Sequence, residues 1–283
     1  MIKIDEVDFY LKDLESRFKY LDNKKYYLSY SGGKDSHFLY WFIKEYLKDN
    51  EIEIVSVNTY MEHKEIFDRM KKYADRILVP KLKPFEIKER YGSPCFSKVQ
   101  DDFIDRYQRG SRAPSIIEKI LGTEKSFYNL NIIAKELLLN NKLHKVSPNC
   151  CKYLKKQPFK EYEKISGKKA ILGVRGGESN MRKSQYKSCF TKDKKFTPLH
   201  DLSDELLDKI YKKYNIEIPN IYKYITRTGC AGCPYGSWKG ETKIELDLLP
   251  EHRRKFVIEY FKESYDVLGI DYKHKQERLE LGE

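Results

Sequence analysis

Two sets of residues have types and spacings that could do chemistry. One is Ser31-Gly32-Gly33-Lys34-Asp35-Ser36; the other is the pair Cys150-Cys151 with the later Cys230-x-x-Cys233. Adjacent glycines let a backbone close on an anion, and the unpaired N–H groups at the start of a following helix point toward it. Ser29, Ser31 and Ser36 add hydroxyls and Lys34 adds a charge, while Asp35 is suited to orienting the loop or a Mg2+ ion. The long phosphate-loop pattern G-x-x-x-x-G-K-[ST] and the dinucleotide pattern G-x-G-x-x-G are both absent. Four thiolates could hold Zn2+ or an iron–sulfur cluster, or could simply be buried. Adjacency favours the cluster, because neighbouring helical side chains diverge by about 100° and reach separate irons more easily than one ion.

A third segment, Gly173-Val-Arg-Gly-Gly-Glu-Ser-Asn-Met-Arg182, offers guanidinium forks at Arg175 and Arg182 for phosphate, with Glu178 as a partner for arginine, Mg2+ or substrate. Asn58 and Thr59 end an apolar strand, where ligand crevices of open α/β sheets lie. Cys189 follows the arginine segment among Lys183, Lys187 and Lys192, the setting of an accessible thiolate, whereas Cys95 has no such setting.

The elements that must position these groups follow from periodicity. Val7, Tyr10, Leu11, Leu14, Phe18 and Leu21 mark an N-terminal amphipathic helix. Residues 25–30, 51–60 and 77–80 then read as strands, separated by helices over 34–49 and 62–76, which is the pattern of a parallel sheet with crossover helices. Helical stretches at 97–108, 114–121 and 127–141 form an insertion over about 84–147. A helix from Cys150 onward breaks near Pro158, a strand leads into the arginine segment, and Ser203 and Pro250 open two further helices. The expected organisation is an N-terminal helix (1–24), a nucleotide-binding α/β domain (25–240) carrying the insertion, and a helical C-terminal extension (241–283). The fold class is α/β, a doubly wound, mainly parallel sheet.

Composition sets the bounds. The 283 residues carry a net charge of +12, from 55 Lys+Arg against 43 Asp+Glu. Such a surface suits a polyanion, although carboxylates are interspersed almost everywhere. No apolar run approaches a membrane span, and the acidic, amphipathic N-terminus lacks the form of a signal peptide, so a cytoplasmic protein without a membrane partner is expected. Six cysteines in such a setting point to metal or redox chemistry rather than disulfides.

Ser-Gly-Gly-Lys-Asp-Ser after a first strand resembles the pyrophosphate loop of the adenine-nucleotide α-hydrolase (PP-loop) superfamily. Those enzymes cleave ATP between the α and β phosphates or bind an adenylyl nucleotide intact. His37 departs from the small or β-branched residue that relatives carry. The Cys-Cys…Cys-x-x-Cys spacing resembles the cluster signature of adenylyl-sulfate reductases. "YGSPCFSKVQDDFIDRYQRG", "GVRGGESNMRKSQY", "FTPLHDLSDELLDKI" and "RTGCAGCPYG" resemble the phosphoadenosine phosphosulfate reductase-like family, particularly its stand-alone members in Firmicutes and their phages.

This resemblance implies ATP or another adenylyl nucleotide, with Mg2+, bound by Ser29, Ser31, Gly32, Gly33, Lys34, Asp35, Ser36, Asn58, Thr59, Arg175, Glu178 and Arg182. It also implies a [4Fe-4S] cluster on Cys150, Cys151, Cys230 and Cys233. Lys34 and Asp35, with Cys189, are the catalytic candidates. Sulfonucleotide reductases attack with a cysteine in a C-terminal tail, and no cysteine follows Cys233 here. The activity expected is therefore ATP-dependent sulfur transfer that forms AMP and pyrophosphate. The acceptor is tRNA, DNA or a small metabolite, with a sulfur-donor protein and a second copy of the chain as further partners. The alternatives are a sulfonucleotide reductase using Cys189, and a non-catalytic nucleotide- or nucleic-acid-binding module.

Overall fold

The computed structural model describes residues 5–122, 130–178 and 180–273. In chain order the elements are α1 (Glu6–Lys19), β1 (Tyr26–Ser29), α2 (Lys34–Trp41), β2 (Glu53–Val57), α3 (Lys64–Tyr73), β3 (Arg76–Leu78), α4 (Pro84–Tyr91), α5 (Lys98–Gln108), α6 (Pro114–Leu121) and α7 (Ile132–Leu139). They continue with α8 (Asn149–Cys151), α9 (Gln157–Ser166), β4 (Lys169–Ile171), α10 (Asn180–Gln185), α11 (Asp204–Lys213), α12 (Glu241–Asp247) and α13 (Glu251–Leu268). The chain divides into two compact units. The first comprises Met1–Asn58, Lys64–Val79 and Pro158–Tyr222; the second comprises Thr59–His63, Pro80–Gln157 and Lys223–Glu283.

The first unit holds the sheet, four strands in the order β3-β2-β1-β4, and every pairing is parallel. Its strands are short apolar runs such as Glu-Ile-Val-Ser-Val, in which both faces are buried, as parallel sheets require. The β1–α2–β2 and β2–α3–β3 crossovers run the same way across the sheet, so their right-handedness sets α2 and α3 on one face. Tyr27 faces the other side, where its ring stacks on Phe159 at 6.0 Å and meets Tyr162 edge-on at 4.9 Å, both from α9. Helices thus cover both faces, and the fold is doubly wound.

The second unit is helical, and holds both the insertion after β3 and the segment that ends the chain. One of its cores joins Ile104, Ile116, Ile120, Ala134, Leu138 and Val146. The other joins Met61, Ile87, Leu154, Leu246, Val257, Tyr260, Phe261 and Tyr265 around the cysteines. The proposed break near Pro158 does not occur. Proline lacks the N–H that would bond back to Leu154, and the preceding turn, Lys152–Lys156, widens to a π-helix, so α8 runs into α9 without interruption. No helix among the described residues is long and apolar enough to cross a membrane.

Candidate functional site

The strand order places the sheet's reversal between β1 and β4, and ligand crevices of open α/β sheets lie beyond the carboxyl ends of the strands at such a point. The glycine loop leaves β1 there, and the arginine segment leaves β4. Gly32 has φ +73, and a Cβ on it would lie 2.9 Å from the Ile66 carbonyl oxygen, so no side chain fits. Gly33 is the N-cap of α2. Ser36 is buried; its hydroxyl lies 3.0 Å from the Gly33 carbonyl and the same distance from the Ser31 hydroxyl, and it accepts the Ser31 N–H at 3.2 Å. The three serines expected to serve an anion therefore differ in role: Ser36 braces the loop, Ser31 is exposed and Ser29 ends β1.

Gly173 brings the β4 loop against this turn: a Cβ there would sit 3.0 Å from the Ser36 nitrogen. Arg175, buried, donates from Nε to Asp35 at 2.6 Å and pairs through its other arm with Asp204 at 2.8 Å. Lys34 pairs with Asp208 across the face of Tyr211. The Lys34 backbone N–H donates to the Tyr222 hydroxyl at 2.8 Å, and the Tyr211 hydroxyl donates to the Lys34 carbonyl at 2.7 Å. The loop's cations and its leading N–H are thus held by Asp35, Asp204, Asp208 and Tyr222. Arg182 lies on α10, and Asn58 closes β2 with its N–H on the Leu78 carbonyl at 2.9 Å. The Glu178 side chain lies outside what the structure describes.

His37 is a core residue, 4% exposed. Its Nδ1 lies 2.9 Å from the Tyr30 hydroxyl and its ring stacks on Tyr40 at 5.5 Å. Burial, with Arg69 and Lys72 nearby, holds its pKa down at about 3, so it is a neutral brace beneath the loop. Cys189 lies 3.9 Å from His200 Nδ1, and burial pushes its thiol upward despite Arg17 nearby. Cys95 is fully buried, its backbone N–H donates to Asp101 at 2.7 Å, and its thiol is pushed strongly up by burial.

In the second unit Cys150, Cys151, Cys230 and Cys233 line one cavity with Met61, Leu154, Lys155, Tyr260 and Phe261. The two adjacent thiols ionise unequally: Cys151 is held low by Cys150, with Lys98, Lys155 and Lys156 assisting, and Cys150 is pushed up by Cys151 and by burial. Cys230 and Cys233 are raised by burial. Lys155, four residues beyond Cys151 and so on the same helical face, has its pKa raised, first by Cys230 and then, against burial, by Glu62. Thr59 belongs to this unit. Its hydroxyl donates to Glu62 at 2.5 Å and its side chain also meets Cys230. The CxxC loop is tied down by Ala231 N–H on the Met61 carbonyl at 2.7 Å, Gly232 N–H on Glu245 at 2.8 Å and the Tyr265 hydroxyl on the Gly232 carbonyl at 2.5 Å. Among the described residues, no group of three or more His, Cys, Asp or Glu side chains is placed to hold a single ion.

Two features define the class of molecule: a doubly wound α/β unit with a glycine loop at its switch point, and a helical unit whose four cysteines share one cavity. Among solved structures the chain is similar to a phosphoadenylyl-sulfate (PAPS) reductase from Candida auris in a phosphate complex, at 12% identity and a TM-score of 0.41, over 81% of this chain and 97% of that one. It is also similar to an NH3-dependent NAD synthetase from Campylobacter jejuni, at 12% identity and a TM-score of 0.37, over 94% of this chain and 96% of that one. No protein-family model and no curated protein matches the sequence.

Proposed function

We propose that the chain is an ATP-using sulfur-transfer enzyme that forms AMP and pyrophosphate. The observation that carries this reading is the glycine loop at the switch point, with its cations already gathered by acceptors an anion would replace. MgATP enters as the substrate. The backbone of Gly32–Lys34 and the Lys34 ammonium receive its β and γ phosphates, displacing Tyr222 and Asp208. Arg175, held by Asp35 and Asp204, stands beside the α phosphate, so Asp35 acts by orienting the guanidinium. An acceptor oxygen attacks the α phosphorus, the bond to the β-bridging oxygen breaks, and pyrophosphate leaves. Hydrosulfide then attacks the carbon bearing that oxygen: the C–S bond forms, the C–O bond breaks, and AMP departs with the oxygen. The acceptor class best suited to the basic chain is a tRNA or DNA base.

The cysteine cavity fits a metal–sulfur group in its donor set, and in the buried Tyr260 hydroxyl that finds no partner there. Cys150, Cys151, Cys230 and Cys233 would hold a [4Fe-4S] cluster, which when bound supplies electron transfer and sulfur coordination. Lys155 supplies positive charge against the thiolates, and the hydrogen bonds of Ala231, Gly232 and Tyr265 fix the CxxC loop. Anaerobically purified protein with radiolabelled MgATP, sulfide and bulk tRNA or DNA should release AMP in proportion to sulfur incorporated. Absence of AMP with every acceptor would refute the proposal.

A further inference from the structure

Tyr260, on α13, is 1% exposed and lines the cysteine cavity, yet its hydroxyl has no hydrogen-bond partner among the described residues. Leaving a buried hydroxyl unpaired is costly, and a native core avoids it unless a partner is missing from view. Its ring cannot swing away to find one. Phe85 meets it edge-on at 5.6 Å and Phe261 does so at 4.7 Å. The helix is fixed as well, since Tyr265, one turn on, is bonded to the Gly232 carbonyl. Tyr260 lines the same cavity as all four cysteines. The other tyrosines flanking the cavity are satisfied, Tyr235 by Asp101 at 2.7 Å and Tyr265 by Gly232. A donor held rigid beside a metal–thiolate group is how an outer hydrogen bond tunes it.

We infer that Tyr260 is a positioning residue that donates a hydrogen bond to a sulfur of the metal–sulfur group held by Cys150, Cys151, Cys230 and Cys233. The inference rests on reading that cavity as a cluster site, and it assigns α13 a role beyond packing. Donation draws electron density from the sulfur and favours the reduced state, so losing the hydroxyl makes the group harder to reduce.

The test uses the full chain, purified anaerobically, with iron and sulfide counted before redox titration and resonance Raman spectroscopy in H2O and D2O. Y260F should retain the wild-type iron content, show a more negative reduction potential, and lose part of the deuterium shift of the Fe–S stretching bands. Replacing Tyr260 by 3-fluorotyrosine keeps the shape and strengthens the donor. It should move the potential the opposite way, which keeps the test sound if Y260F folds poorly. Equal potentials and equal deuterium shifts in the three proteins would overturn the role of Tyr260 while leaving the cluster in place. Wild-type protein without iron would instead overturn the reading of the cavity itself, and this inference with it.

Discussion

His37 gives a prediction that can be worked to a number. Its imidazole is 4% exposed, packed among Tyr30, Tyr40 and Tyr73, with its Nδ1 at the Tyr30 hydroxyl. Burial first, then Arg69 and Lys72, disfavour its charged form and hold the folded pKa at about 3. In the unfolded chain histidine titrates near 6.5. The folded pKa is therefore the lower one, and as pH falls the unfolded state takes up the proton first. The stability tied to neutral His37 is fully present above pH 6.5 and is lost progressively toward pH 3. Between pH 7 and pH 5 the linkage amounts to about 2 kcal/mol. Urea midpoints of wild type and H37F at both pH values isolate it, because carboxylate titration is common to the two proteins. H37F should begin less stable at pH 7, with the Tyr30 hydroxyl unpaired, and lose about 2 kcal/mol less on acidification. An equal loss in both proteins, or an NMR titration of His37 with a midpoint near 6.5, would refute the reasoning.

Three further substitutions probe the two sites. G32A forces a side chain into a left-handed backbone against the Ile66 carbonyl, which costs about 1–2 kcal/mol from conformation alone and should abolish ATP binding by calorimetry. Y222F releases the Lys34 N–H from its internal acceptor, so ATP should bind tighter, by a factor of roughly 2–10, the worth of one hydrogen bond. G232A places a methyl 2.6 Å from the Tyr265 hydroxyl and 2.7 Å from Val257, so α13 must move; the thermal midpoint should fall and iron retention should drop with it.

Much of this architecture is legible in the chain, and the losses have physical causes. The β-branched run of β2, the serine cap of α11 and the Pro250–Gly269 bounds of α13 are local signals, and the helices and strands they announce are present. Strand order is a non-local property, yet it is what puts Gly173 and Arg175 beside Asp35. α4 gives a weaker pattern than α6, since of its eight residues only Pro84 and Ile87 are buried and the rest are mostly charged. Thr59 is adjacent to Asn58 in sequence, but the chain leaves the sheet unit between them, and its hydroxyl donates to Glu62. Lys155 is readable from its four-residue spacing to Cys151. Tyr222, Asp204, Asp208 and Tyr260 have no local signal, because their roles arise from tertiary packing alone.

The most direct test of the central claim is which phosphate bond the protein cuts. Phosphorus NMR of an anaerobic reaction containing MgATP, sulfide and bulk tRNA or DNA resolves pyrophosphate from orthophosphate as it forms. Pyrophosphate and AMP should appear in equal amounts, and both should be lost in G32A. ADP with orthophosphate as the protein-dependent products would contradict it.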